Sequence, residues 1–307
     1  MTITPLSAGT AWFLNGVSNL QSEQTQVEQE LSSGYQVQDA SDSPGQTPEL
    51  IDLGSSLAAV QEYQTNLTRV QAEASTADQS IGSAISLIQN ATTLGTQGAN
   101  TTSSASERQT LATQVQAIQQ QIVSVANTTV EGRYIFGGDQ DQSAPYSYDS
   151  SSATGVDQLT TSASTRVVNG TQGQPVYQAL TAQQIFGPVD ASGTPTASNT
   201  FSALQSLVTA LNANDTTGIS NAIASLNTVS TYVNQQQAYY GSAEQTLTSE
   251  QNNASNQATA LQVQIGNIRD TNVPQAATEL TQLSTDQSAA YAAQAAIPTK
   301  TLFDYIA

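Results

Sequence analysis

Residues 219–268 read ISNAIASLNTVSTYVNQQQAYYGSAEQTLTSEQNNASNQATALQVQIGNI, and the spacing inside this stretch decides the fold. Ile219, Ile223, Leu226, Val233, Tyr240, Leu247, Ala254, Ala258, Leu261, Ile265 and Ile268 recur in steps of three, four or their sum, with Ser230, Gln237, Glu244 and Gln251 completing the phase. A repeat near 3.5 residues sets these side chains along one stripe of a helix that a second helix has to cover. At 1.5 Å per residue the stretch would be about 75 Å long, whereas helices in globular proteins usually run three or four turns. A proline in a helix interior costs about 3 kcal/mol, and none occurs between Pro195 and Pro274. The stretch predicts one arm of a rod.

The same phase reappears outward from this arm. In the proline-free interval from Pro48 to Pro145 it runs through Leu50, Leu53, Leu57, Val60, Leu67, Ile81, Ile85 and Ile88, and again through Leu111, Val115, Ile118, Ile122 and Val125. The front of the chain carries Leu6, Phe13, Val17, Leu20, Val27 and Leu31, and the back carries Leu280, Leu283, Ala290 and Ile297. Ser41-Asp42-Ser43-Pro44-Gly45 is a turn cluster. Between Ile268 and Leu280 the phase shifts around Pro274, which marks a second break. The two breaks lie at similar distances from the two ends, so the ends are expected to pair. Every seam holds Gln, Ser, Thr or Asp, which weakens an isolated pair and fixes register. The terminal stripes have few large anchors to set against about 1–2 kcal/mol of backbone entropy per residue. They are therefore expected to order only against neighbouring copies.

Composition removes most chemistry. The 307 residues include no cysteine and no histidine, with 24 acidic and 6 basic side chains for a net charge of −18. Disulfides and thiolate nucleophiles need cysteine. His-ligated metals and Ser-His-Asp catalysis need histidine. A charge this negative repels nucleic-acid phosphates and anionic membrane surfaces. No run approaches the roughly 18 apolar residues of a membrane span, and Met1–Leu14 lacks the basic and apolar regions of a cleaved signal. No catalytic, cofactor-binding or metal-ligating set is expected. The acids of Asp39/Asp42 and Asp139/Asp141 lack the spacing of a calcium loop.

Residues 139–198 break the helical pattern with four prolines at 145, 175, 188 and 195. Tyr146-Ser147-Tyr148, Thr165-Arg166-Val167-Val168 and Pro175-Val176-Tyr177 read as short strands, with the turn dipeptide Asn169-Gly170 between two of them. Gly132-Arg133-Tyr134-Ile135-Phe136-Gly137-Gly138 lacks the Gly-Lys-Ser/Thr of a phosphate loop. It reads as a helix exit into a buried turn, with Tyr134 and Phe136 packing. Tyr240, on the stripe, reads as core.

Three motifs carry a family resemblance. Leu31-Ser32-Ser33-Gly34-Tyr35 followed by Asp39-Ala40-Ser41-Asp42-Ser43-Pro44-Gly45 resembles the N-terminal signature of the flagellin superfamily. Ala126-Asn127, with Gly132 to Gly138 after it, resembles the segment "AN…G.YLF.G" of the same superfamily. The end, Thr301-Leu302-Phe303-Asp304-Tyr305-Ile306-Ala307, is similar to the "SLFDYL" tail of its hook–filament junction branch, as are Tyr134 and the doubled glycine. The resemblance covers residues 1–138 and 200–307.

The resemblance implies a mainly α protein, a long antiparallel coiled-coil rod built from N- and C-terminal parts with a small β-rich insertion at its tip. Residues 1–42 and 272–307 would be terminal assembly segments, 43–138 and 200–271 the rod, and 139–199 the insertion. It implies a non-enzymatic subunit at the hook–filament junction, extracellular, exported unfolded by the flagellar secretion apparatus and assembling helically with its own copies. Its partners would be the adjacent hook-junction protein, flagellin or cap-side subunits and an export chaperone, with no cofactor, nucleic acid or membrane insertion. The expected assembly residues are Phe13, Val17, Leu20, Val27 and Leu31 at the front, with Leu280, Leu283, Ile297, Leu302, Phe303 and Tyr305 at the back. Filament flagellin and a flagellin-like cell-surface binding protein are the alternatives.

Overall fold

A computed structural model describes residues 8–39, 41–161, 166–170 and 173–296. The described chain is mainly α, with a few short antiparallel hairpins. It divides into two compact units. One takes in the chain up to Gln61 and from Gln257 onward, and the other runs from Glu62 to Asn256. No described helix is long and apolar enough to cross a membrane.

Two long helices contribute to both units: α2 (Thr47–Ala99) and α6 (Thr216–Arg269). In the middle unit they pair antiparallel. The Tyr63 hydroxyl donates to Glu250 at 3.1 Å and the Gln71 amide to Thr248 at 3.2 Å. A side chain added at Gly82 would meet Gln237, and one at Gly95 would meet Ile223. The seam is the one the period predicts: Leu67, Ile81, Ile88, Ile219, Leu226 and Val233 are fully buried. Each contributes about 1.5–3 kcal/mol relative to exposure.

Helix α2 stops without a proline. A capping box opens α3 (Ala105–Ala126): the Ser104 hydroxyl accepts from the Glu107 N–H, and the Glu107 carboxylate accepts from the Ser104 N–H at 2.7 Å. Those Ser104 hydrogen bonds hold the Glu107 carboxyl below its ordinary range. The buried Arg108 then donates to the Gly98 and Asn100 carbonyls, at 2.7 and 2.9 Å, and to the Asn214 side chain. A cation on the last carbonyls of α2 also opposes the negative end of its dipole. Helix α5 (Thr200–Asn212) packs against α3. Its face of Phe201, Leu204, Leu207, Val208 and Leu211 is buried.

Among the described residues, six short strands form three antiparallel pairs. β1 (Thr129–Val130) and β2 (Arg133–Tyr134) are joined by Glu131 and Gly132, at φ 52° and 78°. Positive φ at both central residues is the requirement of a two-residue type I′ hairpin turn. β3 (Tyr146–Tyr148) pairs with β4 (Val156–Gln158), and β5 (Val167–Asn169) with β6 (Pro175–Gln178). Asn169-Gly170 does open the turn between β5 and β6. The turn is wider than a dipeptide, however, because Asn169 pairs with Pro175 and the Gly170 N–H donates to the Gln174 carbonyl at 2.8 Å.

Two-stranded hairpins are marginal alone, and here they share the helical core. Phe136 is 1 % exposed and meets Phe186, at the end of α4 (Ala182–Phe186), and Tyr240 edge-on. Tyr177 packs on Tyr240, and Tyr146 on Phe201. Arg166, just before β5, reaches Glu73 on α2 at 2.9 Å. The described hairpins thus share a unit with the helices around them, and the division into two units falls inside α2 and α6. Burial pushes the Tyr240 phenol up to about 12.

Candidate assembly interface

The terminal unit holds the residues expected to carry assembly. Helix α1 (Ala8–Ser33) and helix α7 (Val273–Ala296) lie against each other. Val27, Ala276 and Leu283 form the buried cluster, with Leu20, Leu31 and Leu280 packed partly exposed around it. Towards the chain ends Phe13 meets Tyr291 edge-on at 6.5 Å. Phe13 and Val17 are half-buried. Ile297, Leu302, Phe303 and Tyr305 lie outside the described residues.

The structure brings Leu20, Val27, Leu31, Leu280 and Leu283 together in one cluster. They meet within one chain, as two antiparallel stripes covering each other. The reason is complementarity: each stripe supplies the apolar face that the other lacks.

A second contact fixes the register of the pair. Gly34, at φ 79°, ends α1, its N–H donating to the Glu30 carbonyl at 2.8 Å. A left-handed residue after a helix favours glycine because it has no Cβ. The chain then runs beside the end of α6: the Gln36 N–H donates to the Arg269 carbonyl and the Thr271 N–H to the Gly34 carbonyl. The Arg269 guanidinium sits 4.1 Å from the Tyr35 ring centroid, a cation–π contact of about 0.5–1 kcal/mol at an exposed site. In the following turn Asp42 accepts from the Asp39 and Gln38 N–H groups, which holds its carboxyl below the ordinary range. The two breaks read from the sequence therefore meet at one place. Tyr35, Ala276 and Arg269 were not legible as parts of it; only the position of the breaks pointed there.

Beyond these contacts the unit leaves apolar surface uncovered. Trp12 is 83 % exposed, and Leu14, Ile51, Val263, Val273 and Tyr291 are also exposed. Residues 8–22 of α1 carry no charge, in a chain of net charge −18. Copies of such a chain repel one another, so uncharged faces are where they can approach.

Comparison with known proteins matches the two ends of the chain. Residues 10–141 match the bacterial flagellin N-terminal helical region, and residues 223–306 match the bacterial flagellin C-terminal helical region. The chain belongs to the flagellin family. The two flagellin regions meet in α1 with α7 and in α2 with α6, and between them lie β3 to β6, α4 and α5, outside either match. Flagellar hook-associated protein 3 of Escherichia coli (strain K12) is 28 % identical over 202 residues, which is 64 % of this chain and 63 % of that relative's length. Among solved structures, a putative flagellar hook-associated protein from Vibrio parahaemolyticus superposes with a TM-score of 0.64 at 18 % identity, over 75 % of this chain and 100 % of that one. Bacillus cereus FlgL does so with a TM-score of 0.55 at 18 % identity, over 70 % of this chain and 99 % of that one. At these identities the two structures speak for the fold of this flagellin-family chain.

Proposed function

We propose that this chain is a non-enzymatic structural subunit of the bacterial flagellum, placed at the junction between hook and filament, where copies assemble helically through the terminal unit. The observation that carries the reading is the pairing of α1 with α7 by the residues of the two family regions, on a unit that still leaves Trp12, Leu14 and Tyr291 open to a neighbour. The name of the Escherichia coli relative and the Leu302-Phe303-Asp304-Tyr305 tail favour the junction over the filament. Secretion by the flagellar export apparatus, an export chaperone, and contact with the adjacent hook-junction protein and with flagellin belong to the same proposal. The segment Ile297, Leu302, Phe303 and Tyr305 is assigned to assembly with Phe13, Val17, Leu20, Val27, Leu31, Leu280 and Leu283.

Expression in a flagellated strain lacking its own hook-associated protein 3 tests this. The expected result is filaments growing from hooks that were bare. Bare hooks with flagellin still released into the medium overturn it. Decoration along the whole filament by a labelled antibody, instead of at one point near its base, would favour filament flagellin.

A further inference from the structure

An open groove of about 810 Å³ lies in the terminal unit between α2, the end of α6 and the Val37–Asp39 turn. Leu50, Ile51, Leu57 and Ile265 line it with apolar side chains, beside Gly54, and Asp39 and Arg269 are its charged lining residues. Gly54 sits inside a 53-residue helix, where glycine is less favourable than alanine. The chain's own packing does not call for it, since a side chain built there would meet nothing within 4 Å. In the middle unit a side chain at Gly82, Gly95 or Gly98 runs into Gln237, Ile223 or Leu211, whereas Gly241 is open like Gly54. A helical glycine that its own fold leaves empty is suited to the close approach of another backbone or a bulky side chain.

The same unit carries a shape to match. Trp12 is the chain's single tryptophan and is 83 % exposed. Gly16, one turn later on the same face, also has nothing around it. The pair forms a knob with a recess beside it on an uncharged helix. Arg269 already has one ring stacked on it, Tyr35, and a guanidinium plane can take an aromatic on its other face. Walls free of charge between Asp52 and Glu62 let a second strongly acidic copy come near.

We infer that the Gly54 groove receives Trp12 of a second copy of this chain. Knob and groove are different patches of one chain, so the contact is heterologous and propagates as a ring or an open helix, not as a closed dimer. The inference rests on the assembly reading above and supplies its contact.

The chain has no cysteine, so a disulfide between introduced cysteines has one interpretation. The full chain carrying Gly16→Cys with Gly54→Cys, which keeps Trp12, is expressed in the strain lacking hook-associated protein 3 and mildly oxidised. A ladder of dimers and larger species is expected, absent from each single variant. Filaments with monomer-sized product only, including an intramolecular disulfide, overturn the contact. Separately, Gly54→Leu fills the groove with a good helix former. Its melting temperature and helical circular dichroism should equal or exceed those of the parent, while filament number falls to that of the deletion strain. Normal filaments on Gly54→Leu overturn the contact as well. Should the unmodified chain restore no filaments, the junction reading fails by itself. The cross-link is then read on concentrated purified chain, where a ladder still supports the groove contact and its absence overturns it.

Discussion

The middle and terminal units use the same kind of helical stripe to different ends. Between Glu62 and Asn256 the stripes of α2 and α6 are roofed by α3, α5 and the hairpins, and Leu67, Ile81, Ile88 and Leu226 reach zero exposure. Among the described residues of the terminal unit, Val27, Ala276 and Leu283 form a small buried cluster, with Leu20, Leu31 and Leu280 half-covered around it. Gly95 and Gly98 are crowded by Leu207, Ile223 and Leu211, while Gly16 and Gly54, and also Gly241 in the middle unit, face open space. A region that completes its own core has no apolar surface to offer. A region that closes only a small cluster is held by a few contacts and keeps surface for a partner.

The contrast can be broken by substitution. Leu67→Ala should cost about 2–5 kcal/mol, the range for large-to-small changes at closed core sites. The same change at Leu283, at the edge of a small cluster that can relax, should cost less than at Leu67. Denaturant midpoints of the two variants test this, and equal losses would mean that the terminal pair is as tightly closed as the middle.

Alkaline titration should strike the middle unit. Above pH about 10 the unfolded tyrosines ionise, whereas buried Tyr240 stays protonated to about 12, and burial raises Tyr146 and Tyr177 too. The unfolded state then binds fewer protons than the folded one. Stability is therefore full below about 10 and falls as pH rises toward 12. Tyr240→Phe should flatten that fall, measured as melting temperature against pH.

Next in size is a change of sign between two glycines. Gly98→Ala pushes a methyl into Leu211 and should destabilise by about 1–3 kcal/mol. Gly54→Ala meets nothing and should stabilise by up to about 1 kcal/mol. Thermal melts of the two proteins should move in opposite directions. The smallest effect belongs to Arg269→Ala, which removes the contact with Tyr35 at about 0.5–1 kcal/mol. It should appear as faster amide exchange at Gln36 and Thr271, with the middle unit unchanged.

Much of this was legible in the residues. All fifteen positions of the 219–268 phase are buried or half-buried on α6, because a 3.5-residue repeat has only one structural reading at that length. Phe136 and Tyr240 went to the core as expected. Helix α5 was missed, although Phe201, Leu204, Val208 and Leu211 carry the helical period. Thirteen residues beside a proline-rich stretch give too few turns to stand out. The stop at residues 100–104 was missed as well, because a Ser-x-x-Glu cap is undistinguished in a chain full of serine and threonine. Arg108 could not be foreseen as the tie between the α2 carbonyls and Asn214, since the contact joins residues more than a hundred positions apart.

For the candidate interface, Phe13 to Leu31 and Leu280 to Leu283 were visible as a stripe, and what covers them was not. Periodicity and composition alone gave the long helices, the breaks at residues 41–45 and around Pro274, and the absence of histidine and cysteine chemistry, because backbone geometry turns spacing into faces. Which face meets which was settled only in three dimensions. Burial of apolar surface has no direction of its own, and a stripe suits any complementary stripe until the chain's connections bring α7 to α1 and leave Trp12 and Gly54 uncovered.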